Sequence, residues 1–147
     1  MTDRTFVEQN RAAHRELADL IAQLDERSFH LAAGSGWTVS ALLCHLAFWD
    51  RLALSCLKQW QSGGQAPTRL SPQSIDSINE AVQAISQAVP GPTAAKLALD
   101  SAAAVDSLVE GIAGELCGQI VSTGFERLLR RSLHRREHLR KIKEALS

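Results

Sequence analysis

The feature that most constrains this chain is the spacing of its apolar residues. They recur every three to four positions in long stretches, and almost nowhere do they alternate as a strand requires. Between about Asp3 and Leu24 the series is Phe6, Val7, Ala13, Leu17, Leu20, Ile21 and Leu24, one face of a helix. A-A-G-S-G, Ala32 to Gly36, breaks it. A second helix is predicted from Thr38, as N-cap, to about Trp60. Ser71-Pro72 reads as N-cap and first residue of a short helix to about Val89, which P-G-P, Pro90 to Pro92, stops. A third long helix is predicted over about Thr93 to Ile112. T-G-F-E, Thr123 to Glu126, has the form of a capping box opening a fourth that runs to about Leu146.

Long helices of roughly 20 residues span ~30 Å, the scale of a four-helix bundle. The fold class is therefore all-α, and 147 residues suit a single domain over 1–147. The connection between the second and third long helices exceeds what a hairpin needs and carries its own short helix. It can return the chain along the bundle, giving an up-down-down-up order.

Charge excludes some functions. The formal net charge is zero, yet residues 121–147 hold eight basic and three acidic side chains, locally +5. That tail has no interleaved aromatics and no helix-turn-helix spacing, so no nucleic-acid partner is expected. The polar start, M-T-D-R-T-F-V-E-Q-N, lacks the apolar core of a signal peptide, and no membrane span is expected. Three cysteines in apolar surroundings, Cys44, Cys56 and Cys117, suit reduced thiols and a cytoplasmic location.

Candidate chemistry centres on histidines. In R-S-L-H-R-R-E-H-L-R-K, His134 and His138 stand one helical turn apart. They border the apolar stripe of Leu128, Leu139, Ile142 and Leu146. His45 shares a face of the second helix with Leu42, Trp49 and Leu52. Two readings stay open on these residues alone: core histidines satisfied by neighbouring groups, or a three-nitrogen site for zinc, nickel or iron with open positions. Glu137 is a candidate general base beside such a site, and His14, on the apolar face of the first helix, a candidate fourth ligand or proton shuttle. Arg127 and Arg131 share the sector of His134 and are candidates to pair with a substrate carboxylate. Trp49 is a candidate substrate-cavity wall.

G-W-T-V-S-A-L-L-C-H-L-A-F-W-D, Gly36 to Asp50, resembles the second helix of the DinB-like superfamily, which also holds the mycothiol-dependent maleylpyruvate isomerases. The shared features are Trp37 in the turn, Thr38 as cap, the paired leucines, His45, and the Trp49-Asp50 end. H-x-x-x-H in the last helix is the second signature, matched by His134 and His138. I-D-S-I-N, Ile75 to Asn79, resembles an Asp-x-x-Asn segment of some branches. The resemblance implies an up-down-down-up four-helix bundle, often a homodimer, with a divalent metal, zinc or nickel, held by His45, His134 and His138. It further implies a thiol-dependent transferase or isomerase that takes a low-molecular-weight thiol and a small-molecule substrate. The competing expectation is a stress-response bundle that binds a metal or ligand without turnover.

Helix 2 is apolar nearly all round, with Leu43, Ala47 and Leu54 opposite the histidine face. A helix of that kind needs more cover than its own bundle supplies, so a homodimer is expected on this ground too.

Overall fold

The computed structural model describes residues 3–147, and it is all-helical. Six α-helices run in the order α1 (Thr5–Ala22), α2 (Val39–Gly63), α3 (Pro72–Ser86), α4 (Gly91–Glu110), α5 (Gly114–Ser122) and α6 (Arg131–Leu146), with short 3-10 turns at Ser28–His30 and Glu126–Leu128. Among the described residues there is no strand, only an isolated bridge between Ala32 and Thr38.

The start signals act where the sequence puts them. Thr38 Oγ1 accepts from the Ala41 N–H at 3.1 Å and caps α2. Ser71 Oγ does the same for Ser74 at 3.0 Å, with Pro72 as first residue of α3. α2 ends at Gly64, whose φ of 71° is the left-handed conformation that favours glycine at this position.

T-G-F-E is the exception. It does not open the last helix; it closes α5, which the sequence reading did not separate. Gly124 has φ 83°, the Phe125 N–H donates back to Ile120 O at 2.9 Å, and the Gly124 N–H to Val121 O at 3.1 Å. That is a helix C-terminus built on a left-handed glycine. Glu126, instead of reaching back to a cap, accepts from Arg130 Nε at 2.7 Å. α6 therefore starts at Arg131, and its N-terminus takes its cap from far away. The Ser132 N–H donates to Asn10 Oδ1 on α1 at 2.9 Å, and Asn10 Nδ2 donates to Leu129 O at 2.7 Å.

α2 is the central element, packing against α3, α4 and α6, while α1 packs on α4 and α6. Among the described residues α2 alone has the length and apolar content to cross a membrane, but 67% of its most apolar window is buried inside the protein, as in a core helix. The apolar core falls into two clusters. One joins Leu17 and Leu20 to Leu42, Leu43, Leu46, Ala98, Leu139 and Ile142. The other joins Phe6 to Ala53, Leu57, Trp60, Val105, Val109, Ile120 and Leu129. A buried polar residue lies between the two contributions on α1 and on α2, Asn10 and Asp50, and Arg135 lies between Leu129, just before α6, and Leu139 on it.

Candidate metal centre

His45 enters the site from the second turn of α2, one side of it fixed by the Thr38 cap. The turn before that cap brings the Trp37 ring edge-on to His45, with centroids 5.1 Å apart. His134 and His138 come from the first two turns of α6. The three rings meet nitrogen to nitrogen: His45 Nε2 lies 3.0 Å from His134 Nε2 and 3.1 Å from His138 Nε2. One ligand atom from each histidine lies within 4.8 Å of the others, so the group is able to hold a metal ion.

Electrostatics keep these rings neutral. Burial pushes the His45 pKa down to about 4, with the charges of His138 and Lys141 adding to it. Burial likewise takes His138 to about 4, assisted by Lys141 and Arg140. His134 is driven lower still, by burial first and then by Arg131. A neutral imidazole has one N–H and one lone pair, and only the lone pair can ligate. A hydrogen bond among the rings gives a second account of the contacts, but His45 Nε2 has either one proton or one lone pair and so makes one full hydrogen bond, not the two its neighbours call for. The Nδ1 atoms of all three are buried with no protein partner. Protons on Nδ1 leave three Nε2 lone pairs converging. Nitrogens about 2.1 Å from a shared ion, at tetrahedral to octahedral angles, are separated by roughly 2.9–3.4 Å; the two spacings from His45 fall in that range, and the third pair lies within 4.8 Å. The donor set fits a borderline divalent ion.

The centre opens into a cleft of about 860 Å³. α2 supplies Leu42, His45 and Trp49; α3 supplies Ile75, Asp76, Asn79, Glu80 and Gln83; the third side is α6 with the turn before it. Trp49 lines the cleft as expected, and its Nε1–H donates to Asn79 Oδ1 at 2.9 Å. The I-D-S-I-N segment thus becomes the wall facing the histidines.

Arg127, Arg131 and Glu137 also line the cleft. Arg127 and Glu137 are exposed. Arg131 is not: it is 7% exposed, its Nε donates to Asp50 Oδ1 at 2.9 Å and its Nη1 to the Arg127 carbonyl at 3.1 Å. Only Nη2 is left unbonded. His14 stands apart; it is half-buried, does not line the cleft and is not in the converging group. Cys44 lines a different, apolar groove, and burial pushes its thiol up. All three cysteines are free.

Sequence reading missed the polar layer behind the histidines. Arg135, fully buried, donates to both Asp106 carboxylate oxygens, Nη1 at 2.8 Å and Nη2 at 2.7 Å. Its Nε reaches Asp50 Oδ2 at 3.3 Å, and its remaining contacts are the Asn10 and Ala102 carbonyls. The available signal was a lone aspartate in each of two apolar runs, A-F-W-D-R-L-A and A-A-A-V-D-S-L-V. A buried carboxylate needs a cation, and α6 is the arginine-rich element.

The family model described as "Mycothiol maleylpyruvate isomerase N-terminal domain" matches residues 10–117. The chain belongs to this family. The family is part of the DinB-like superfamily. The matched stretch includes His45, Asp50 and Asp106 and ends before His134 and His138; the grouping of all three histidines rests on geometry. No curated protein and no solved structure matches the chain.

Proposed function

We propose that the protein is a divalent-metal-dependent enzyme, a thiol-dependent S-transferase or isomerase acting on a small molecule, with zinc or nickel held by His45, His134 and His138. The single observation that carries this is the convergence of three imidazole nitrogens, from the buried His45 and His138 and the half-buried His134, in a cleft. A bound divalent ion lowers the pKa of a thiol or water so that the nucleophile exists at neutral pH. The family's link to mycothiol supports a low-molecular-weight thiol as co-substrate.

The chain's own residues bind and orient. The Arg127 guanidinium, which has no hydrogen-bond or ion-pair partner among the described residues, and Nη2 of Arg131 stand on the α6 side of the cleft and suit a carboxylate on thiol or substrate. Trp49, fixed by Asn79, gives an apolar wall against which a small molecule lies. Glu137, exposed at the mouth, accepts a proton.

The four long helices are read as up-down-down-up. Along α1, and from Leu129 just before α6 into α6, the chain passes from the Phe6–Leu129 cluster to the Leu17–Ile142 cluster, and along α2 and α4 it passes the opposite way, which supports that order. A cytoplasmic homodimer completes the reading. An apolar groove of about 560 Å³ between α2, α3 and α4 leaves Phe48, Ile85 and Leu97 exposed, and a second copy would cover it. Light scattering should give about twice the 16.0 kDa chain mass; a particle of the chain mass at micromolar concentration rejects the dimer.

The alternative is a bundle that binds metal without turnover. It is favoured by one observation: the carboxylates that line the cleft, Asp76, Glu80, Glu137 and Glu144, are all exposed. Elemental analysis after loading should find roughly one ion per chain in wild type and far less in His45→Ala. The loaded protein should then react a generic electrophile with a low-molecular-weight thiol above background, and His134→Ala should not. Tight metal binding with no rate for any of several thiols decides for the binding module.

A further inference from the structure

α6 carries two of the three histidines of the metal centre, yet apolar packing alone does not fix its first turns. Its buried residues are Arg131, Ser132, Arg135, His138, Leu139 and Ile142, so the apolar ones come only after the histidines. What holds the histidine-bearing part is polar. On α2, His45 and Asp50 face the same stretch of α6: His45 meets His134 and His138, while Asp50 gives Oδ1 to Arg131 and Oδ2 to Arg135. Arg135 is anchored beyond that to Asp106 on α4, and Asn10 on α1 caps the Ser132 N–H.

From this we infer that Asp50, with Arg131 and Arg135, is a positioning device for the metal centre, setting the axial register of α6 against α2. The inference rests on the metal reading above. Two attachments between the same pair of helices fix slide and rotation together. A slip of one residue is a ~1.5 Å displacement, half the separation of the Nε2 atoms. The network lies between two apolar clusters, where unpaired charge is costly and wrong registers are penalised accordingly. Buried ion pairs are poor evidence for stability as such, and fixing register is their best-attested use.

Among the described residues the three Nδ1 atoms have no protein partner, so no protein group supplies the hydrogen bond that commonly orients a ligating imidazole. Orientation must come from the helices. The Asp50 clamp supplies it one step further back, through the backbone of α6.

The test uses cobalt(II) as probe, read by titration and by its visible absorption bands, on wild type, Asp50→Asn, Arg131→Lys and Leu57→Ala. Leu57 is fully buried in the distant cluster, so its truncation destabilises the fold without touching the network. Arg131→Lys keeps the charge but loses the guanidinium fork, and reads the same quantities if Asp50→Asn does not fold. Both network variants should weaken cobalt binding about tenfold or more, the usual effect of removing outer-shell support, and should alter the absorption bands. Leu57→Ala should lower the melting temperature and leave affinity and bands unchanged. Network variants that behave as Leu57→Ala overturn the inference and leave the metal reading standing. A wild-type protein that binds no cobalt overturns the metal reading, and the inference with it.

Discussion

The Nε2 atoms of His45 and His138 lie 3.1 Å apart although 93 positions separate the two residues in the chain. Both rings are buried, and the charges around them are mainly positive: Lys141 acts on both and Arg140 on His138, while Glu137 only partly offsets them at His45. The site resists protons, and this has a measurable consequence.

The pKa of His45 and of His138 falls from 6.5 to about 4 on folding. Between those values the unfolded chain holds protons that the folded chain does not. Stability of the metal-free protein therefore rises with pH across that window, and acid erodes it from about 6.5 down to about 4. Urea midpoints of the metal-free protein should fall steadily over this range. In His45→Ala the slope should be smaller, and an identical slope would contradict the neutral triad. By the same shift, metal should persist at pH values where an ordinary histidine site, titrating at 6.5, has released it.

Arg135→Met should destabilise the fold by about 3–5 kcal/mol, because it leaves Asp50 short of one partner and Asp106 without its cation in a buried layer. Asp106→Asn on top of Arg135→Met should recover part of that loss. Chemical denaturation of the two variants measures both. A cost below about 1 kcal/mol for Arg135→Met would mean water reaches the layer.

How much of this was legible in the sequence depends on where each signal lies. Thr38 and Ser71-Pro72 are local signals, read correctly because the cap and the capped N–H are three residues apart. The histidine triad was legible because one helical turn sets the spacing of His134 and His138, and His45 sits alone among apolar neighbours. T-G-F-E was misread because Thr-Gly serves either end of a helix, and only the left-handed backbone at Gly124 decides which. The start of α6 could not be read locally at all, since its cap is Asn10, 122 positions away. Arg135 was lost among eight basic residues of the tail. Periodicity on a helix with arginines around it does not say which one meets two aspartates from other helices.

Asn10→Ala should cost about 1–3 kcal/mol, since both bonds of its side chain are buried and its removal strands the Leu129 carbonyl and the Ser132 N–H. The loss should appear first at the N-terminal turn of α6. Hydrogen exchange at 131–134 should accelerate more than at 140–146, and uniform acceleration would argue against a tertiary cap.

α3 is the least anchored wall of the cleft. Its only buried residue is Ser86, and its links across the site are the Trp49–Asn79 hydrogen bond and a 3.5 Å contact from Gln83 to the Ser35 carbonyl. None of the histidines lies on it. Asn79→Ala removes one half-buried hydrogen bond, worth about 1 kcal/mol, so global stability should change little. Access should change more, because α3 opens on local rather than global unfolding. A chelator should strip metal from Asn79→Ala faster than from wild type while the equilibrium affinity stays nearly constant, and hydrogen exchange in 72–86 should rise. Those two readouts moving together assign α3 the role of a gate over the histidine centre. A faster metal loss with unchanged exchange in α3 would move the gate elsewhere, to the Ala33–Trp37 turn that forms the adjoining rim.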